Sequence, residues 1–421
     1  MLRCALHDVL FALVRTAKNN SCTYLLYHRV SSNPAAHARF YFLTPMSSKA
    51  FEPAKLGSLT LTNHLVMAPM TRSRALGNVP NELMAEYYRQ RATAGLIITE
   101  GTAPAADGLG YARIPGLFNQ EQATNWQRVT ETVHHHGGHI FVQLMHAGRI
   151  FHGHNLPEGA EGVAPSAIAA QGDMWTDQAQ MQPNATPRAL RTEELARVRD
   201  EFVHSAKLAL EAGFDGVELH GANGYLLEQF LSPHSNQRTD EYGGSVQNRA
   251  RFVLEVTRAV VEAIGAERTG IRLSPWGVAS DMPHYPEIHE TYAYLAEELQ
   301  KIGVVYLHLV DHSSMGAPAV PAETVATIRQ KFTGPLILAG GYNTVDQIDA
   351  ALADKADLVA IGRPFISNPD LVARLQAGQP LAEADMATFY APGPGGFADG
   401  YTDYPTADGQ PAGTFSPTYE A

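Results

Sequence analysis

Cysteine is almost absent from this chain: there are two residues, Cys4 and Cys22, in 421. Both fall within the first 45 positions. The remainder therefore has no disulfide, no thiolate nucleophile and no iron-sulfur or zinc-thiolate site of its own. Long apolar runs are also lacking. Although 45% of residues are hydrophobic, no run reaches the length of a membrane span. Positive charge is scarce, with a formal net charge of -12. The first 45 residues carry Arg3, Arg15, Lys18, Arg29 and Arg39 against Asp8 alone, so the body is more acidic than the total. That excess argues against nucleic acid or an anionic membrane as a partner.

Residues 1–45 are compositionally unlike the rest of the chain. Their Arg and Ser content suits an organellar transit peptide and LFALV a very short secretory core, while a start placed upstream of Met46 is the plainer alternative. The expectation is a misplaced start or removable segment, followed by one domain over residues 46–421, located in the cytoplasm.

The body alternates short aliphatic runs with helical patterns. The runs begin at Leu65, Leu96, Ile140, Phe214, Gly270, Val305, Pro335 and Leu358, and they are continuous rather than alternating, as in strands buried on both faces. Eight β/α units predict an α/β fold, a closed (β/α)8 TIM barrel. Helices predicted from Thr192 to Gly213 and from Ser245 to Gly265 open on a hydroxyl and close on glycine. The Pro/Gly-rich insertion after strand three, about 150–190, and the tail from Pro392 read as loops near the barrel mouth.

Barrel chemistry sits at the carboxyl ends of strands. The polar and glycine positions there are Thr71, Gly101, Gln143, His220, Asn223, Tyr225, Arg272, Gly340, Gly341, Gly362 and Arg363. AGGY after strand seven and IGRP after strand eight offer unobstructed backbone N–H groups where barrels commonly bind phosphate, and Arg363 adds a cation that can fork onto phosphate oxygens. Gln143 and Arg272 together suit an electron-poor heterocycle with imide and carbonyl edges. For Arg272 the alternative is an ion pair with Glu100 or Glu218. His220, Asn223 and Tyr225 leave strand four within VELHGANGYLLEQFLSP, and a structural network closing that loop is the alternative to a polar ligand there.

LVMAPMTRSRA, FVQLMHAGRI, VELHGANGYLLEQFLSPHSNQRTDEYGGSVQNR, IRLSP, LAGGY, AIGRPFISNPDLVARL and GYTDYP resemble, in order, the old yellow enzyme family of FMN-dependent ene-reductases, over Phe51 to Pro405. The resemblance implies FMN as cofactor and NADPH or NADH as hydride donor. One site serves both partners in turn, and hydride and a proton add to opposite faces of an activated alkene, or a nitro compound is reduced. It implies that Thr71 hydrogen-bonds the flavin carbonyl beside N5, that Pro69, Gly101 and Gln143 contact the ring, and that Arg272 stabilises charge at the N1/C2 edge. Gly341, Gly362 and Arg363 would hold the phosphate. His220 and Asn223 would grip the substrate oxygen as an oxyanion hole does, Tyr225 would supply the proton, and Tyr390 would line the substrate pocket. Met145 stands where many members place tryptophan, and it shares the strand face of Gln143. Thr71, where another branch uses cysteine, places the chain in the main branch.

Two rival classes compete with this reading. A metal-assisted hydrolase or aldolase barrel would use His220, His308, Asp311 and His312. A barrel that only binds small molecules would need no chemistry at all. Elsewhere no metal site is expected: His134, His135 and His136 point in different directions, and His146, His152 and His154 have no carboxylate at ligand spacing.

Overall fold

Each of the eight aliphatic runs becomes a parallel strand, because a run without polar alternation can be covered on both faces only inside a ring of helices. The computed structural model describes residues 48–409; the leader and its boundary lie outside them. The barrel strands are β1 (Leu65–Met67), β2 (Leu96–Thr102), β3 (Ile140–Leu144), β4 (Gly216–Gly221), β5 (Thr269–Leu273), β6 (Leu307–Val310), β7 (Leu336–Ala339) and β8 (Leu358–Ile361). They close in sequence order, β8 pairing with β1. Helices α1 (Glu82–Gln90), α2 (Gln120–His135), α3 (Leu195–Glu211), α4 (Val246–Ile264), α5 (Ile288–Ile302), α6 (Ala322–Lys331) and α7 (Val345–Asp354) fill the seven intervals.

Helical spacing explains how the ring attaches to the barrel. On α3, Leu195, Val198, Phe202, Ala206 and Ala209 recur on one face and are buried. Three of the four predicted caps form: Ser245 Oγ accepts from Asn248 N at 3.2 Å, and Gly213 and Gly265 take positive φ, at +83° and +97°. Thr192 does not cap α3: it lies in a 3-10 turn ahead of the helix and gives its hydroxyl to Asp240 instead.

Register then aims the site. Glu218 pairs with Gln143, His220 with Arg272, and Arg272 with His308, so four neighbouring strands turn polar side chains toward one another. A register shift in β2 between Ile98 and Gly101 sets Gly101 opposite Gln143.

The insertion departs from the expectation of plain loop. Asp173–Thr176 and Gln180–Pro183 form an antiparallel hairpin, and Val163–Ala164 pairs in parallel with Arg188–Ala189. Runs of two to four residues amid Pro and Gly carry too little pattern to signal strands, although Met174 and Thr176 alternate inward with exposed Asp173 and Trp175.

The tail is fastened at the mouth by buried arginines from the β1 exit. Arg72 donates to the carbonyls of Phe389 and Gly400, and Arg74 to those of Phe389, Thr388 and Phe397. These bonds match five rigid donors per guanidinium to backbone oxygens that would otherwise be buried unpaired.

Candidate active site

A cavity of about 960 Å³ opens at the carboxyl ends of the strands, within the size range of small-molecule sites. Every position the sequence singled out lines it: Pro69, Thr71, Gly101, Gln143, Met145, His220, Asn223, Tyr225, Arg272, Gly341, Gly362, Arg363 and Tyr390.

The floor is a buried carboxylate network. Gln143 Nε2 donates to Glu218 Oε1 at 2.8 Å, Tyr306 donates its hydroxyl to Glu218 Oε2 at 3.1 Å, and His308 Nδ1 bonds that same oxygen at 2.8 Å. Burial alone would raise the Glu218 carboxyl. The His308 imidazole, the Arg272 charge and the Gln143 amide outweigh it and hold the group below its ordinary range. The ion pair offered as the alternative for Arg272 does not form: Glu100 bonds elsewhere, Glu218 is held by its three partners, and Arg272 Nε is buried without a partner. A buried donor costs several times a surface one when unmet, so it points to a ligand with acceptors.

His220 and Asn223 also bring unmet polar atoms to the cavity. His220 Nδ1 and Asn223 Oδ1 are buried and unpartnered, and both side chains face the cavity. Burial, reinforced by Arg272, His308 and His312, holds the His220 imidazole well below its ordinary pKa, so it is neutral and keeps one N–H donor and one acceptor. Burial raises the Tyr225 hydroxyl, and a hydrogen bond from Tyr111 only partly offsets that, so the phenol carries its proton at neutral pH. The His220 and Tyr225 rings meet edge to face at 4.9 Å.

The loop that presents these groups is braced from behind. Asn223 sits at φ +59°, an uncommon conformation for a side-chain-bearing residue. Its N–H donates to Ser274 Oγ at 2.8 Å; Ser274 and Tyr292 donate their hydroxyls to Glu228 Oε1 at 2.6 Å, and Gly224 N donates to Glu228 Oε2 at 2.6 Å. Sequence reasoning missed Glu228, Ser274 and Tyr292. A lone carboxylate inside the apolar run LLEQFL was the available signal.

At the other end the cavity fits a phosphate. Gly340, Gly341, Gly362 and Arg363 line it together with Ser314 and Asn343. A Cβ on Gly362 would meet nothing nearer than Met70 Sδ at 3.7 Å, so the backbone there is open to a close ligand. Gly341 has φ +79°, which favours glycine. Met145 packs over Gly101 so closely that a Cβ on Gly101 would lie 2.5 Å from its sulfur. The Gln143 amide, the unpartnered Arg272 Nε and the open backbone at Gly362 thus fit a phosphorylated planar heterocycle such as FMN.

The metal reading finds no support in geometry. His308 is bonded to Glu218, and among the described residues no group of three His, Cys, Asp or Glu side chains is placed to hold a metal ion. No helix among them is long and apolar enough to cross a membrane. His134 pairs with Asp215, and the loop from Ser235 stays outside the cavity, its Asn236 amide bonded to the Phe230 and Tyr242 carbonyls.

Comparison with known proteins adds independent findings. Residues 49–382 match the model of the NADH:flavin oxidoreductase / NADH oxidase family. Chanoclavine-I aldehyde reductase of Penicillium roqueforti is 44% identical over 372 residues, 85% of this chain and 96% of that protein. 12-Oxophytodienoate reductase 7 of Oryza sativa subsp. japonica is 39% identical over 378 residues, 86% of this chain and 95% of that protein. Among solved structures, morphinone reductase superposes with a TM-score of 0.81 at 43% identity, covering 87% of this chain and 98% of that one. The same enzyme in complex with tetrahydroNAD gives a TM-score of 0.80 at 43% identity, over 85% of this chain and 98% of that one.

Proposed function

The chain belongs to the NADH:flavin oxidoreductase / NADH oxidase family, in its old yellow enzyme group, and on that premise we propose how its own residues run the reaction. The protein is an FMN oxidoreductase that takes hydride from NADH or NADPH and reduces activated C=C bonds. FMN, once held by the residues named below, would supply the hydride-transfer chemistry between nicotinamide and alkene.

Everything else falls to side chains. Thr71, Pro69, Gly101, Gln143 and Arg272 hold the ring, with Arg272 stabilising negative charge; Gly341, Gly362 and Arg363 hold the phosphate. His220 donates to the substrate's activating oxygen and Asn223 joins it through its amide. As hydride arrives at the β carbon, negative charge grows on that oxygen, and donors already in place stabilise it without reorganising. Tyr225 then gives its proton to the α carbon. The observation that carries this reading is the convergence of the unpartnered Arg272 Nε, the unpartnered His220 Nδ1 and the Asn223 side chain on one cavity beside a protonated phenol.

The rim indicates the substrate class. Met315, Met386 and Tyr390 are exposed at 50%, 69% and 61%, and all three line the cavity. Apolar surface gathered at a site mouth fits bulky, apolar enones and enals better than small ones; 12-oxophytodienoate, chanoclavine-I aldehyde and morphinone, in the relatives' names, share that bulk. Nitroalkenes, maleimides and nitro compounds belong to the same electrophile class, and the cytoplasm is the proposed location.

The test is a spectrum followed by an assay. Purified protein should be yellow from bound flavin, bleach anaerobically on NADH or NADPH, and recover its colour on adding a bulky enone. Colourless protein that still folds would refute the reading.

A further inference from the structure

Tyr111 takes no part in the hydride and proton steps assigned to the cavity residues. It lies in the turn after β2 and does not line the cavity, yet its hydroxyl is 3.1 Å from that of Tyr225, with the rings edge to face at 6.2 Å. A phenol that gives away its proton becomes a buried anion, and here no cationic side chain is hydrogen-bonded to it; Tyr111 is its only side-chain hydrogen-bond partner among the described residues.

On its other side Tyr111 comes under the influence of Ser280, which draws the phenol down against the raising effects of burial and Tyr225. Ser280 is half-buried, and its Cβ would lie 2.7 Å from a Cβ built on Gly224, which places it against the loop that carries Tyr225. Ser280 and Asp281 hold φ of +56° and +59°, a conformation that side-chain-bearing residues keep only when the surroundings enforce it. Enforcement is visible: Arg149 Nη2 donates to the Asp281 carbonyl, and Gln171 N to Asp281 Oδ2 at 3.0 Å.

We propose that Tyr111 is a positioning and relay residue for Tyr225, re-protonating it from solvent through Ser280 as the substrate is protonated. The proposal rests on the reading of Tyr225 as proton donor. The Tyr225 O–H bond breaks as the α C–H bond forms; the Tyr111 O–H bond breaks as the Tyr225 O–H bond re-forms; and water, through the Ser280 hydroxyl, restores Tyr111. Per turnover the alkene gains one hydride, carried by FMN from the nicotinamide, and one proton from water. Hydroxyl chains suit this because each member both donates and accepts.

The experiment is a proton inventory on Tyr111→Phe, which keeps the ring in its apolar cluster with Met145, Leu109 and Ile114 and deletes only the hydroxyl. Flavin-loaded, pre-reduced enzyme is mixed with 2-cyclohexenone in H2O/D2O mixtures and reoxidation is followed. Wild type should give a bowed dependence on deuterium fraction, from two protons moving together. Tyr111→Phe should be about tenfold slower, the factor a hydrogen bond to a charged group supplies, with a straight dependence. Phenol affinity and the rate of reduction by NADH should change by less than about twofold, because neither needs the relay. Ser280→Ala should slow the same step and leave the other two alone.

A bowed inventory retained in Tyr111→Phe would overturn the relay. So would equal losses in phenol binding and both half-reactions, which indicate a merely structural hydroxyl. A Tyr225→Phe protein as fast as wild type would instead remove the underlying proton-donor reading, and the relay with it; slow Tyr225→Phe with normal Tyr111→Phe rejects the relay alone.

Discussion

Replacing Glu100 by Gln should make the protein more stable at alkaline pH, a sign opposite to that for most buried ion partners. Glu100 is 1% exposed, next to Gly101 on β2. Its Oε2 accepts from Arg72 N at 3.1 Å, bracing the residue after Thr71, and the Tyr88 hydroxyl lies 3.4 Å from Oε1. Burial pushes its carboxyl from 4.5 up to about 7, against the pull of the Arg72 and Ser73 N–H groups and of the Arg72 and Arg74 charges. The folded protein therefore binds this proton more tightly than the unfolded chain does. Its contribution is fully present below the unfolded value and is lost as pH rises through about 7. Between about pH 5 and about pH 8 the loss integrates to ~2.5 kcal/mol. Glutamine mimics the protonated acid: its oxygen keeps the Arg72 N–H and its amide can face Tyr88. Urea unfolding of both proteins at the two pH values, with FMN at constant excess, reads the difference. Wild type should lose ~2.5 kcal/mol relative to Glu100→Gln across that window. Parallel curves for the two proteins, or a variant weaker at both pH values, would refute the reasoning.

The same geometry sets three other expectations. Changing both His220 and Asn223 to Ala should weaken phenol, a mimic of the enolate oxygen, by an amount set by oxyanion donors worth ~3 kcal/mol singly and not additive as a pair. Phenol titrations with the flavin still bound check this, and unchanged affinity counts against the role. Met145→Trp should narrow the substrate range and shift product chirality for some β-substituted enones, since a rigid indole replaces an adaptable thioether over Gly101. Chiral analysis of products from small and bulky alkenes decides it. Glu228→Ala should cost ~3 kcal/mol or more by stranding the Gly224 N–H and the Ser274 and Tyr292 hydroxyls, and should lower turnover through the strained Asn223 loop. Thermal melts beside turnover rates of Glu228→Ala and Glu228→Asp measure both effects.

The barrel was legible because a strand buried on both faces writes itself as an unbroken aliphatic run, and eight such runs leave little else to build. The site was legible for a related reason: a polar side chain at the end of such a run has no structural use, which singled out His220, Asn223 and Arg272. What stayed hidden depends on partners distant in sequence. Arg72 and Arg74 bond carbonyls more than 300 positions away, and a carbonyl has no residue-type signature. Tyr111 sits in an unpatterned turn, and only the closed barrel brings it to Tyr225, 114 positions on. The insertion's strands are too short for their period to show in the sequence, and they are joined by pairings such as Val163 with Arg188 and by the Asn184 amide bonded to the Gly172 carbonyl.

The central claim is that one cavity passes hydride in two half-reactions and that Tyr225 acts only in the second. Stopped-flow absorbance of flavin-loaded wild type and Tyr225→Phe tests it directly, reduction by NADH or NADPH being followed first and reoxidation by an enone second. The account predicts reduction within about twofold of wild type and reoxidation slower by about 10²- to 10⁴-fold, the usual worth of a general acid. Equal loss in both halves, or none in the second, would contradict it.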